Sequence, residues 1–108
     1  MRQIIIWKRA GGINFNDYFF LPTYEVIYLI AKPKFRLLPT ANRHGDVWVI
    51  PQESKNTHPA PYPVALTDRI ISSVGAKVIL DPFMGSGTTA ISAINFKRDY
   101  IGIDNSME

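Results

Sequence analysis

Short apolar runs rich in β-branched and aromatic residues alternate with stretches punctuated by glycine and proline. Residues 3–8, Gln-Ile-Ile-Ile-Trp-Lys, predict a buried strand, because a short run of this kind suits the pleated backbone. Residues 24–31, Tyr-Glu-Val-Ile-Tyr-Leu-Ile-Ala, predict a second strand. Their length would permit a helix, but β-branched and aromatic residues favour extended chain. Residues 46–50, Asp-Val-Trp-Val-Ile, predict a third strand stopped by Pro51, with Trp7 and Trp48 as core residues. Gly11 to Asp17 reads as a loop, and the proline-rich stretch 51–63 as irregular chain. From Val64 to Val74, Leu66, Ile70, Ile71 and Val74 recur at helical spacing, with Pro63 suited to the first turn and Gly75 to the end. Lys77 to Asp81 reads as a buried strand, and Pro82 to Gly87 as a tight loop. Thr88 to Phe96 reads as a helix packing through Ala90, Ile91, Ala93 and Ile94, and Tyr100 to Asp104 as a further strand. Strand, loop, helix and strand over roughly thirty residues make a βαβ unit, so the fold class is α/β and part of the sheet is parallel.

Composition narrows the setting. At 108 residues the chain holds at most one small domain, and 46% apolar content is enough for a core. No apolar run is long enough to span a bilayer, and the N-terminus lacks the pattern of a signal peptide. There is no cysteine, which excludes disulfides, thiolate metal sites and cysteine nucleophiles. A cytoplasmic location is the expectation. The net charge of +3 is compatible with a polyanionic partner. The densest basic group, Lys32-Pro-Lys34-Phe-Arg36, reads as a solvated loop or a phosphate contact. The two histidines, His44 and His58, make no metal site, and His44 in Asn-Arg-His-Gly reads as a turn residue.

The glycine loop carries the chemistry. A strand that ends at Asp81 and turns at once into a helix sets its loop at the carboxyl edge of a sheet, where open α/β sheets bind ligands. Gly85 and Gly87 let the backbone turn and approach a ligand closely. The following helix aims its N–H groups and positive dipole end at that point, which favours a carboxylate or phosphate. The loop is not a Walker A, because Thr88 follows Gly87 and no lysine stands nearby. Position 90 is alanine, which leaves a dinucleotide open. In βαβ nucleotide sites an acid about 20 residues on binds the ribose hydroxyls, and Asp104 closes the next strand at about that spacing from Asp81. The unit therefore predicts an adenosine-like cofactor with its ribose at Asp104 and an anionic group near Gly85 to Thr88. S-adenosylmethionine fits that description, and the bland reading makes the glycines a mere turn.

The string Asp81-Pro82-Phe83-Met84-Gly85-Ser86-Gly87-Thr88-Thr89 resembles the cofactor motif of DNA methyltransferases that modify exocyclic amino groups. Tyr100-Ile-Gly-Ile-Asp104 stands where that family keeps its ribose-binding acid. His58-Pro-Ala-Pro-Tyr-Pro63 resembles the segment that closes over the methionine end of the cofactor. Ile4-Ile-Ile-Trp-Lys8 and Pro22 to Lys32 resemble strands of the catalytic half, so the resemblance covers nearly the whole chain, in the permuted β-type order. It implies an incomplete αβα methyltransferase sandwich, Rossmann-like. In it, 1–50 belongs to the catalytic half, 51–75 is linker and pre-loop helix, and 76–108 is the cofactor-binding βαβ unit. It implies S-adenosyl-L-methionine as cofactor, held by His58, Asp81, Phe83, Met84, Gly85, Ser86, Gly87, Thr88, Thr89 and Asp104, although His58 reads equally as an exposed loop residue.

The family's catalytic tetrapeptide, Asp/Asn/Ser-Pro-Pro followed by an aromatic residue, is expected upstream of Ile4 and does not occur in the sequence. No catalytic residue is therefore assigned. The resemblance implies a fragment or subunit of a site-specific, restriction-modification type DNA methyltransferase acting on adenine N6, or on cytosine N4. Double-stranded DNA is then the partner of the complete enzyme, and the chain alone is expected to be inactive. The alternatives are a non-catalytic remnant or split subunit that binds only cofactor or a partner chain, and a small nucleotide-binding Rossmann-like protein. Half-built sheets leave open edges, which makes pairing with a second copy or a complementary methyltransferase chain an expectation. The aromatics Tyr18, Phe19, Phe20 and Tyr24 read mainly as core, with one ring a candidate to face a flipped base.

Overall fold

A computed structural model describes residues 1–9, 17–52, 62–83, 85 and 87–104. The chain forms two compact units, Met1–Phe35 with Arg43–Gln52, and Arg36–Asn42 with Glu53–Glu108. Most of the expected Gly11 to Asp17 loop, and residues 53–61 of the proline-rich stretch, lie outside the described residues.

The first unit is a three-stranded sheet in the order β2-β1-β3, with β1 Gln3–Lys8, β2 Tyr24–Leu29 and β3 Val47–Val49. β1 runs antiparallel to β2, with Gln3 opposite Leu29 and Lys8 opposite Tyr24. It runs parallel to β3, which sets Trp7 beside Trp48. Alternation sends Ile5 and Trp7 to one face with Trp48, and Ile4 and Ile6 to the other. Trp7 is 2% exposed and Trp48 is buried, as their strand positions suggest. Each indole N–H finds a carbonyl: Trp7 donates to Ile50 at 2.7 Å and Trp48 to Gly45 at 2.7 Å. A buried indole therefore leaves no polar atom unpaired here. The expectation that Tyr18, Phe19, Phe20 and Tyr24 pack in a core is overturned. All four are exposed, Phe20 to 96%, because residues 17–19 form a turn ahead of β2 rather than part of a buried strand.

The second unit pairs helix α1, Val64–Ser72, with helix α2, Thr88–Asn95, and strand β4, Val78–Asp81, with β5, Asp99–Gly102. β4 and β5 are parallel with Asp81 opposite Gly102, which is the expected βαβ unit. α2 packs on both α1 and β5. Pro63 stands one residue ahead of α1 in extended conformation, at the N-cap, rather than inside the first turn. Gly75 does not end α1: the helix stops at Ser72 with Ser73 as its cap, and Gly75 has no left-handed backbone. α2 closes differently, with Lys97 in the left-handed region at φ 56° and Arg98 N–H returning to the Ala93 carbonyl at 2.8 Å. That is the Schellman pattern, with lysine where glycine is usual.

The packing faces of both helices follow the apolar spacing in part, at Leu66, Ile71 and Ala93, and depart from it elsewhere. α1 buries Leu66, Thr67 and Ile71, while Ile70 is exposed. α2 buries Thr88, Ser92 and Ala93, while Ile91 and Ile94 face outward, Ile94 at 72%. The helices meet through hydroxyls. Thr67 Oγ1 and Ser92 Oγ lie 2.5 Å apart, and both hydroxyls also reach the Val64 carbonyl, at 3.0 and 3.3 Å. Small side chains permit that close approach, which two isoleucines would prevent. A 3-10 turn over Pro39–Arg43 was not foreshadowed by the apolar pattern.

Candidate functional site

β4 carries Asp81 to the carboxyl edge of its sheet, and Pro82 ends the strand because it has no N–H for the ladder. Asp81 Oδ1 accepts the Phe83 N–H at 3.0 Å, a local turn that sets the loop's first bend. The Asp81 carbonyl accepts from Ile103 at 2.9 Å, so the chain beyond β5 stays alongside the loop. Gly85 and Gly87 both have left-handed backbones, at φ 50° and 84°. A side chain at either position costs about 1–2 kcal/mol from the backbone alone. Among the described residues, a Cβ on Gly87 would meet nothing within 4 Å, and one on Gly85 would meet only the Phe83 carbonyl at 4.0 Å. The glycines thus form the turn, with open space beside it among those residues.

Gly87 is the N-cap of α2, and among the described residues no side chain caps that helix. Its first internal hydrogen bond runs from Ile91 N–H to the Gly87 carbonyl at 3.1 Å. The N–H groups of Thr88, Thr89 and Ala90 therefore precede the helix's own ladder and lie at its positive end. Asp104 stands two residues past Gly102, the register partner of Asp81, and is exposed. The β4 edge thus has an anion-favouring helix start on one side and a carboxylate at the end of the neighbouring strand. An adenosine-containing zwitterion needs both: donors for a carboxylate and an acceptor for a ribose diol.

Of the residues expected in the site, Asp81, Phe83, Gly85, Gly87, Thr88 and Thr89 come together at the β4–α2 junction, and Asp104 lies two residues beyond β5 rather than closing that strand. Phe83 presents its ring to solvent at 86% exposure, Thr88 is buried and Thr89 is half-buried. His58, Met84 and Ser86 lie outside the described residues.

Two tyrosines that the glycine-loop motif does not single out lie beneath the junction. The Tyr62 hydroxyl is 3.3 Å from Thr89 Oγ1. Tyr100 faces the same side of the sheet as Ile79 and Asp81 by strand alternation. The Tyr100 hydroxyl and Asp81 Oδ2 are both sealed from solvent, and among the described residues neither has a hydrogen-bond partner. Burial raises the Tyr100 pKa above the usual tyrosine value, and the nearby Asp81 carboxylate and Tyr62 raise it further. The phenol is thus a standing O–H donor. Period-2 alternation back from Asp104 through Gly102 could have found Tyr100 in the sequence. Tyr62 falls within the His58–Pro63 string, but nothing local pairs its hydroxyl with Thr89, which lies in α2. Among the described residues there is no cluster of three or more metal-ligating side chains, and no helix is long and apolar enough to cross a membrane.

The family model described as "DNA methylase" matches residues 1–108. The chain is 41% identical to the Type II methyltransferase M2.MboI of Moraxella bovis, over 98% of this chain and 45% of that protein. Among solved structures it resembles the complex of M1.HpyAVI with S-adenosylmethionine, with TM-score 0.69 and 25% identity, covering 97% of this chain and 56% of the other. It also resembles the cytosine-N4-specific PvuII DNA methyltransferase, with TM-score 0.81 and 16% identity, covering 96% of this chain and 46% of the other. The second likeness speaks to the fold alone: the two units match part of a methyltransferase sandwich. The chain spans less than half the length of the Moraxella relative.

Proposed function

This chain belongs to the DNA methylase family, and on that premise we propose that it holds S-adenosyl-L-methionine at the β4–α2 junction, as the cofactor-binding part of a DNA methyltransferase. The observation that carries this reading is the junction itself. Among the described residues, two left-handed glycines border open space, the start of α2 has no side-chain cap, and Asp104 stands two residues past the adjacent parallel strand. A solved structure of similar fold is a complex with that cofactor, which supports the choice of ligand. The α2 N–H groups receive the cofactor's carboxylate, and Asp104 accepts from the ribose hydroxyls. Asp81, fixed by the Phe83 N–H, holds the loop against the sheet. His58, Met84 and Ser86 complete the proposed set on the resemblance of their motifs alone. Bound there, S-adenosylmethionine supplies the methyl group.

The substrate of the complete enzyme is double-stranded DNA, methylated at an exocyclic amino group, N6 of adenine or N4 of cytosine. An Asp/Asn/Ser-Pro-Pro-aromatic tetrapeptide does not occur in the 108 residues, and none of these residues is assigned to holding a flipped base. Methyl transfer then needs that segment from elsewhere, whether in the same polypeptide or in a complementary chain. Incubating the 108-residue chain with tritium-labelled cofactor and mixed-sequence DNA tests this division of labour. Label retained by the protein and absent from the DNA is expected. Label in the DNA would overturn the assignment of catalysis to another segment, and label on neither would overturn the cofactor site.

A further inference from the structure

The start of α2 is the part of the proposed site that must be rigid, because it presents three backbone N–H groups in one direction, yet among the described residues no side chain caps it. The hydroxyls of α2 show what holds the helix instead. Ser92 is fully buried and bonds to Thr67 and to the Val64 carbonyl, which fixes the middle of the helix to α1. One turn nearer the loop, Thr89 lies on the same side of α2, three residues before Ser92. Its hydroxyl meets Tyr62, which stands just ahead of α1, beyond Pro63. The seam between the two helices thus runs from the helix middle to its second residue, and Tyr62 supplies its outer end. Pro63 fixes the chain between Tyr62 and α1 in extended conformation, so the phenol is anchored close to the helix it braces.

We propose that Tyr62 is a positioning residue for the cofactor: through Thr89 it holds the first turn of α2 in the orientation that receives the ligand's carboxylate. This rests on the cofactor reading above. A phenylalanine ring would fill the same half-buried space and lose only the hydrogen bond, so the hydroxyl is what the claim concerns. Tyr62 need not touch the ligand, because its effect passes through the Thr89 hydroxyl.

The test uses the full 108-residue chain as wild type, Tyr62→Phe, Thr89→Val and the double variant, with titration of S-adenosylmethionine followed by calorimetry. Tyr62→Phe is expected to weaken binding roughly three- to tenfold, the range for one modest hydrogen bond, and to have no further effect once Thr89 is valine. Hydrogen exchange of the Thr89 to Ile91 amides without ligand is expected to quicken in Tyr62→Phe, while exchange within α1 stays unchanged. Equal affinities of wild type and Tyr62→Phe, or full additivity with Thr89→Val, would overturn the inference and leave the cofactor site standing. Unchanged exchange at Thr89 to Ile91 would overturn it as well, even for variants whose binding is lost altogether. No cofactor binding by the wild type would overturn the inference together with the site it depends on.

Discussion

Tyr100 shows how much a single buried hydroxyl can be asked to do. Its O–H is sealed from solvent without a hydrogen-bond partner among the described residues, and burial, the Asp81 carboxylate and Tyr62 all favour its neutral form. Because its pKa is raised on folding, the folded state binds that proton more tightly than the unfolded state does. The resulting stability is fully present below the usual tyrosine value of about 10 and is lost as pH rises through the folded value. Replacing Tyr100 by phenylalanine is therefore expected to leave stability at pH 7 unchanged or slightly higher, by up to about 1 kcal/mol, since an unpaired hydroxyl is removed. The same variant is expected to lose less stability than wild type as pH rises above about 10. Urea unfolding of both proteins across that range checks the sign. An identical decline for the two would show that the phenol does not titrate differently on folding.

At the scale of elements, strands were legible and helix faces were not. β1, β2, β3, β4 and β5 fall within a residue or two of the positions that β-branched runs, Pro51 and Pro82 indicate, because strand runs here are short and sharply bounded. Helix position was equally clear, and Leu66, Ile71 and Ala93 are buried as the spacing indicates, but Ile91 and Ile94 of α2 are not. Hydropathy ranks Ile91 and Ile94 above Thr88 and Ser92, yet the helix–helix contact selects small residues whose hydroxyls pair across it. That preference arises from the partner helix and is invisible in α2 alone. Within the proposed site, the turn of the glycine loop and the place of Asp104 past the neighbouring strand were readable because turn geometry and strand spacing are local properties. Tyr62 was not, because its hydrogen bond to Thr89 joins two distant parts of the chain. The misread face has a measurable consequence. Ser92→Ala is expected to cost about 0.5–1.5 kcal/mol, since it removes the hydrogen bond that joins the two helices while Thr67 keeps the Val64 carbonyl. Ile94→Lys, although it removes a large apolar side chain, is expected to cost no more than about 0.5 kcal/mol. Thermal unfolding that ranked the two substitutions the other way would return α2 to the face its isoleucines suggest.

Across the whole molecule, both sheets carry apolar residues on two faces. In the first unit Trp7 and Trp48 are buried on one face, while Ile4, Val26, Tyr28, Val47 and Val49 remain exposed on the other. In the second, Val78, Leu80, Ile101 and Ile103 are exposed, while Ile79 and Tyr100 are half-buried. Parallel strands apolar on both faces belong to sheets covered on both sides. That agrees with a chain matching less than half of a longer methyltransferase relative. The proposed cofactor site, by contrast, draws all its described residues from the second unit, so its chemistry can be tested on this chain directly. Calorimetric titration of S-adenosylmethionine into wild type and Asp104→Ala is the most direct measurement. Saturable one-to-one binding by wild type is expected, weakened about tenfold or more when the ribose loses its charged acceptor. Equal binding by the two proteins, or none by either, would contradict a cofactor held between the α2 start and Asp104.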